Sequence, residues 1–97
     1  MKSRKIKTTK WNASDNLKTD EDIVAYLEAV LEDGHPELIA AALGDIARAK
    51  GMAKIAKKAG LGRESLYKAL SPDGNPGFAT VLKVIRSLGL KLHVEAA

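Results

Sequence analysis

The chain has 97 residues, with 16 Lys or Arg, 12 Asp or Glu and a net charge of +4, and it contains no cysteine. This length suits one domain with one hydrophobic core, and the absence of cysteine excludes disulfides, thiol nucleophiles and thiolate metal ligands. Since no apolar run approaches the ~18 residues that a membrane span requires, we expect a cytoplasmic protein that does not contact a membrane.

Residues 1–18 show no helical period and are predicted to form a basic N-terminal arm, followed by a single domain over residues 19–97. A helix is predicted to begin after Thr19, because a capping hydroxyl is followed by three carboxylates that favour the positive end of the helix dipole. Apolar residues then recur with helical spacing until Gly34. The first helix is therefore predicted over residues 20–33.

Four further helices are predicted by the same reasoning. Pro36 suits the first turn of a helix, where its missing N–H costs nothing, and Gly51 stops the apolar stripe that follows it. The predicted helices cover residues 36–50, 52–59, 63–70 and a stretch from Phe78 to a cap at Gly89. Residues 71–77 contain two prolines and two glycines and are predicted to form a loop.

Residues 90–95 alternate apolar and polar side chains, a pattern typical of a half-buried β-strand. A lone strand is not stable, so Leu90, Leu92 and Val94 are predicted to pair with a second copy of the chain and form a homodimer. The alternative is pairing with residues 5–11 of the same chain. The predicted fold is therefore all-α, with five helices and a short C-terminal strand.

Charge is divided unevenly along the chain. Residues 1–18 carry a net charge of +5, residues 19–47 carry −8, residues 48–70 carry +6 and residues 71–97 carry +1. A basic block within a folded segment is typical of a surface that binds phosphates, whereas an acidic block is poorly suited to face DNA. The alternative interpretation of the basic block is a solvated helix face.

Residues 52–70 have the spacing of a helix-turn-helix. Ala56 is small where two helices must cross closely, and Gly60 permits the left-handed backbone of a tight turn. Leu61 is predicted to fill the turn. Four apolar residues are predicted to hold the two helices together, namely Ile55, Leu66, Ala69 and Leu70. The alternative is a generic pair of helices joined by a glycine turn.

In a helix-turn-helix, the second helix places its N-terminal residues in the major groove. The outward residues Arg63 and Glu64 are predicted to read guanine and cytosine, and Tyr67 is predicted to contact a thymine methyl group or a phosphate. The predicted phosphate contacts are Lys54, Lys57, Lys58 and Lys68. Each of these residues is alternatively an exposed side chain that aids solubility. Tyr67 is also a candidate packing residue, and Glu64 a candidate cap of its own helix.

Four blocks of the sequence, VAYL, LGDIARAKGM, GLGRESLYKALS and LKVIRSLGLKL, resemble the addiction-module antidote proteins, the HigA-like antitoxins with a Cro/C1-type helix-turn-helix. The resemblance covers residues 12–95. It implies a lambda-repressor-like fold and a small bacterial antitoxin that binds a RelE/ParE-like toxin and represses their shared operon as a dimer. One departure is Gly62, where such proteins commonly have a serine that caps the recognition helix.

The toxin surface is predicted from charge. The resemblance implies a basic toxin, and a basic partner suits the acidic segment 19–47. The candidate contacts are Asp20, Glu21, Glu28 and Glu32, together with Trp11 in the arm. The alternatives are that these acids offset the basic face of the same protein and that Trp11 docks on its own domain.

An enzyme is not expected. The serines lack any nucleophile signature, and His35 and His93 show no ligand spacing, so neither a metal nor another cofactor is predicted. Two other functions remain open. One is a stand-alone repressor of a phage or mobile element, and the other is a protein-interaction module without DNA binding, which leaves the basic block unexplained.

Overall fold

The computed structural model describes residues 17–71 and 73–97, which form five helices. The helices are α1 (Asp20–Asp33), α2 (Pro36–Lys50), α3 (Met52–Ala59), α4 (Arg63–Ala69) and α5 (Phe78–Ser87). All five were predicted from the sequence, and each begins at the predicted residue. Helix α4 ends one residue earlier than predicted, and α5 ends at Ser87, so that Leu88 caps it.

The start of α1 is fixed by side-chain caps. The hydroxyl of Thr19 accepts a hydrogen bond from the backbone N–H of Asp22, and the Asp22 carboxylate accepts from the N–H groups of Thr19 and Lys18. The hydrogen bond from the Thr19 backbone N–H lowers the pKa of Asp22, because it favours the ionised carboxylate. The Thr19 hydroxyl and the Lys18 backbone N–H lower this pKa further. This reciprocal cap explains why the first helix could be placed from sequence.

Helix α3 lies at the centre of the fold. Helix α1 packs on α2, α2 packs on α3, and both α4 and α5 pack on α3. The largest fully buried side chains come from all five helices and the end of α4, namely Ile23, Leu43, Ile46, Ile55, Leu66, Leu70 and Val84. Leu17, the first described residue, is buried in the same core. The remainder of the predicted arm, residues 1–16, lies outside the described residues.

Polar side chains tie α1 to α2. The phenol of Tyr26 donates a hydrogen bond of 2.9 Å to the Asp45 carboxylate, which also receives one of 3.0 Å from Arg48. Partial burial raises the pKa of Tyr26, and the hydrogen bond to the Asp45 carboxylate and its negative charge raise it further, to about 12. At the start of α1, the ammonium of Lys50 lies 3.3 Å from a carboxylate oxygen of Asp20. Two of the acids in the acidic segment are therefore partnered within the domain.

The strand predicted over residues 90–95 is absent. Residues 90–97 have no regular secondary structure, and no strand occurs in the described parts of the chain. The backbone N–H of Leu90 instead bonds the carbonyl of Ile85 and closes the end of α5. The prediction was wrong because alternation describes only side chains, whereas a strand requires a second backbone beside it. The alternative partner, residues 5–11, lies outside the described residues.

The described helices are all too short or too polar to cross a lipid bilayer.

Gly44 allows α2 to approach the end of α4. A Cβ atom at this position would lie 2.6 Å from the carbonyl oxygen of Leu70 and 3.4 Å from the Leu70 Cβ. Since real Cβ atoms do not approach backbone oxygen this closely, any side chain at residue 44 must push the two segments apart. The contact therefore excludes residues larger than glycine.

We expect Gly44→Ala to lower the free energy of unfolding by about 1–2 kcal/mol, because overpacking at this contact outweighs the gain in helix propensity of about 1 kcal/mol. Urea denaturation followed by circular dichroism measures the change. A variant more stable than the wild type would contradict the close contact, since helix propensity alone predicts that result.

Candidate nucleic-acid interface

The turn between α3 and α4 is fixed by backbone hydrogen bonds. Gly60 ends α3 with a φ of 71°, in the left-handed region that favours glycine. Its N–H bonds the carbonyl of Lys57, and the N–H of Leu61 bonds the carbonyl of Ala56 at 2.9 Å. This pair of bonds is a Schellman motif, which satisfies the last carbonyls of α3. The predicted role of Gly60 is confirmed, and Leu61 packs against the core.

The underside of α4 is buried on α3. Leu66 and Leu70 are almost wholly inaccessible, as are Ile55 and Ala56 of α3. Ile55, Leu66 and Leu70 were predicted to hold the two helices together, and their burial confirms this prediction. Ala69 is only half-buried. Since a helix of seven residues is not stable alone, this buried underside determines which side of α4 faces outward.

The outer side of α4 is exposed. Arg63, Glu64, Tyr67 and Lys68 all lie at the surface, as predicted. The Arg63 guanidinium lies 5.9 Å from the centroid of the Tyr67 ring, at cation–π distance. Tyr67 keeps 41% of its surface exposed, so it is not a core packing residue. This contact involves the guanidinium carbon and forms no hydrogen bond with the N–H groups of Arg63.

The first turn of α4 has no side-chain cap. Gly62 occupies the N-cap position and supplies only its carbonyl, which accepts from the N–H of Leu66. Glu64 forms no capping hydrogen bond, although its carboxylate lies in the first turn, where the helix dipole favours a negative charge. The first N–H groups of α4 therefore remain without a side-chain acceptor in the described structure.

The predicted phosphate contacts are exposed but do not share one surface. Lys54, Lys57, Lys58 and Lys68 reach solvent, and none has a carboxylate partner among residues 17–71 and 73–97. Lys54 and Lys58 line a concave surface between α3 and α5, whereas Lys57 does not. These four lysines thus remain without compensating acids in the described structure, and two of them, Lys54 and Lys58, line the concave surface.

The predicted toxin contacts lie along α1. Asp20, Glu21, Glu28 and Glu32 are exposed. Asp20 is partnered by Lys50, whereas the three glutamates form no ion pair with any described residue. Trp11 lies outside the described residues.

The predicted dimer residues have different surroundings. Leu90 packs partly against the core of its own chain. Leu92 and Val94 are 43% and 86% exposed, so their side chains remain open to a partner. No second chain is needed to bury Leu90.

An apolar groove of about 600 Å³ was not predicted. It lies between α1, α2, the loop before α5 and Leu92, with Leu31 and Phe78 among its lining residues. Phe78, the first residue of α5, is 68% exposed. One signal was present in the sequence: the apolar stripe of α1 includes Val24 and Leu31, seven residues apart, and both lie at its exposed edge. The apolar stripe of α1 is therefore wider than the surface that α2 covers.

No group of three or more histidine, aspartate or glutamate side chains is placed to hold a metal ion within the part of the chain that the structure describes.

Comparison with known proteins gives two matches. A family model described as a probable addiction module antidote protein matches residues 7–96. An uncharacterized protein of Haemophilus influenzae (strain Rd) is 49% identical over 85 residues, which cover 88% of this chain and 88% of that protein. No solved structure gives a significant match.

We expect Gly62→Ser to raise the free energy of unfolding by about 0.5 kcal/mol, because the serine hydroxyl would accept a hydrogen bond from a first-turn N–H of α4. The site accommodates the substitution, since φ is −68° and the new Cβ would lie 3.6 Å from the Ser65 hydroxyl. Urea denaturation measures the change.

Gly62→Ala is the matched control, because it adds the same Cβ without an acceptor. It should be less stable than Gly62→Ser by about 1 kcal/mol. Equal stability of the two variants would mean that the first-turn N–H groups already have acceptors.

Proposed function

The chain belongs to the family of probable addiction module antidote proteins, and on that premise we propose that it is a HigA-like antitoxin that represses its own operon. In this proposal it binds operator DNA through a Cro/C1-type helix-turn-helix and neutralises a RelE/ParE-like toxin. The observation that carries DNA binding is the exposed, basic outer side of α4, held by a buried underside. The family match favours this function over a stand-alone repressor.

In the proposed complex, α3, the turn at Gly60 and α4 are the helix-turn-helix, and α4 enters the major groove. Arg63 makes the bidentate contact with guanine, for which a planar guanidinium is suited. Its position over Tyr67 supports this role, because a pre-oriented side chain loses less entropy on binding. Glu64 accepts from cytosine, and Tyr67 contacts a thymine methyl group or a phosphate.

Lysines on α3 and α4 are proposed to contact the DNA backbone, and such contacts do not depend on the base sequence. Lys54, Lys57, Lys58 and Lys68 bind backbone phosphates in this proposal. Their support is the lack of carboxylate partners among the described residues, because an unpaired ammonium is free to replace counterions on DNA.

The toxin is proposed to bind along α1. Glu21, Glu28 and Glu32 are exposed acids without ion-pair partners in the described structure, and Asp20 is held only by an exposed pair with Lys50. The apolar groove adjoins this surface at Leu31, and Glu28 lines a smaller hollow beside it. Apolar surface with an acidic rim suits a basic protein. Trp11 remains a proposed contact from the sequence.

A homodimer is proposed through the C-terminal segment. Leu92 and Val94 are exposed apolar residues, which are typical of a surface that a second copy covers. A dimer would present two copies of α4 to successive turns of DNA, about 34 Å apart.

Arg63→Ala should weaken binding to duplex DNA from the region that precedes the gene by ~1–3 kcal/mol, and should relax the preference at one base position. Lys57→Ala should weaken binding to this duplex and to a scrambled duplex alike, because a phosphate contact is independent of sequence. Fluorescence anisotropy at fixed salt measures both constants.

Lys18→Ala removes one exposed positive charge that precedes α1 and lies outside the proposed DNA and dimer contacts, and it serves as the control. It should leave the ratio of specific to scrambled binding unchanged. If Arg63→Ala weakens both duplexes equally, Arg63 has no base-reading role.

The double variant Glu28→Lys/Glu32→Lys should abolish co-purification with a protein encoded beside this chain, because reversed charges repel a basic partner. Binding to duplex DNA should be retained. The control compares the single variants Glu28→Lys and Asp73→Lys, which change the net charge equally. Asp73 is exposed in the loop before α5, so Asp73→Lys should preserve co-purification. Toxin capture by the α1 variant would place the toxin on another surface.

A further inference from the structure

Five cationic side chains surround one concave surface between α3 and α5, which we call the α3–α5 cleft. The cleft has a volume of about 500 Å³. Its floor includes the apolar residues Ile55 and Leu88. Its cations come from the end of α2, from α3 and from α5, namely Lys50, Lys54, Lys58, Lys83 and Arg86. Lys83 and Arg86 are not among the DNA contacts predicted from the sequence.

Little negative charge offsets these cations. Only Lys50 has a carboxylate partner in the described structure, and its pair with Asp20 is weak because Asp20 is 77% exposed. Lys50, Lys58 and Arg86 also lie at the C-terminal ends of their helices, where each helix dipole supplies about half a negative charge. One carboxylate and three helix ends leave a net positive charge of between about +2 and +3 in the cleft.

Helix dipoles favour Lys50, Lys58 and Arg86 individually, but bringing all five cations to one concave surface does not stabilise the fold. Lys54 and Lys58 are four residues apart on α3, and like charges at that spacing on a helix repel. Lys83 and Arg86 are three residues apart on α5 and repel in the same way. A concave, uncompensated cationic surface concentrates its field and attracts anions. The charge is therefore better explained by an anionic ligand than by folding.

We propose that the α3–α5 cleft binds phosphate groups of duplex DNA that lie beyond the groove contacted by α4. This inference rests on the proposed DNA binding and extends it to Lys83 and Arg86. Phosphate chemistry is common to the DNA backbone and to free polyphosphates. The position of Lys54 and Lys58 on α3, the helix that also carries α4, favours the duplex.

The packing of the helices places the cleft at a suitable distance. Both α4 and α5 pack on α3, and axes of packed helices are about 8–10 Å apart. The cleft is thus about 10–20 Å from α4 by this helix spacing. A major groove is about 12 Å wide, which is comparable with this separation, so in the proposal a backbone that borders the groove filled by α4 passes within reach of the cleft. Lys83 and Arg86 would position the protein without reading bases.

The test compares Lys83→Gln/Arg86→Gln with the wild type on duplexes of increasing length. On long duplexes the slope of log K against log salt should fall by about 1.8, because each lost phosphate contact contributes about 0.9. On a duplex trimmed to the bases that α4 reads, the two slopes should coincide. Lys18→Gln/Lys91→Gln removes the same charge outside the cleft and should reduce the long-duplex slope by less. Thermal melts should show that both double variants remain folded.

Each other outcome has a distinct meaning. If the wild type binds the duplex and Lys83→Gln/Arg86→Gln leaves the slope unchanged, the cleft proposal is overturned and DNA binding by α4 stands. If the wild type binds no duplex, the proposed function itself fails. Inorganic pyrophosphate is titrated in parallel by calorimetry. Pyrophosphate binding that requires Lys83 and Arg86, together with an unchanged duplex slope, would assign the cleft to a free phosphate ligand and overturn the duplex as its occupant.

Discussion

Burial of Leu66 and Leu70 against α3 is the contact on which the functional surface depends. Helix α4 has seven residues and no side-chain N-cap, so it has little stability of its own. Its position is set by the underside, by the turn at Gly60 and by the close approach of Gly44 to the Leu70 carbonyl. Because three elements hold one short helix, its charged outer side is presented on a rigid base.

The same fold separates the two charge blocks. Asp20 forms an ion pair with Lys50. Asp45 accepts hydrogen bonds from Tyr26 and Arg48. Bases beyond Lys50 have no carboxylate partners in the described structure. The compensated acids hold α1 to α2, while the uncompensated bases surround α3. One molecule therefore offers an acidic surface suited to a basic protein and a basic surface suited to phosphates.

Sequence patterns predicted what depends on neighbours in the chain. The cap at Thr19, the proline at the start of α2 and the turn at Gly60 are local, so the five helices could be placed. Features that depend on distant segments could not. The strand over residues 90–95 required a second backbone, and the α3–α5 cleft depends on how two helices cross. The exposure of Phe78 likewise depends on the groove that α1 and α2 leave open beside it.

Amide chemical shifts measured while duplex DNA from the region that precedes the gene is added test most directly whether α4 lies on the duplex. The largest changes are expected at residues 63–68, with smaller changes along α3 and none along α1. Changes confined to α1 and α2, with residues 63–68 unaffected at saturation, would contradict binding of DNA by α4.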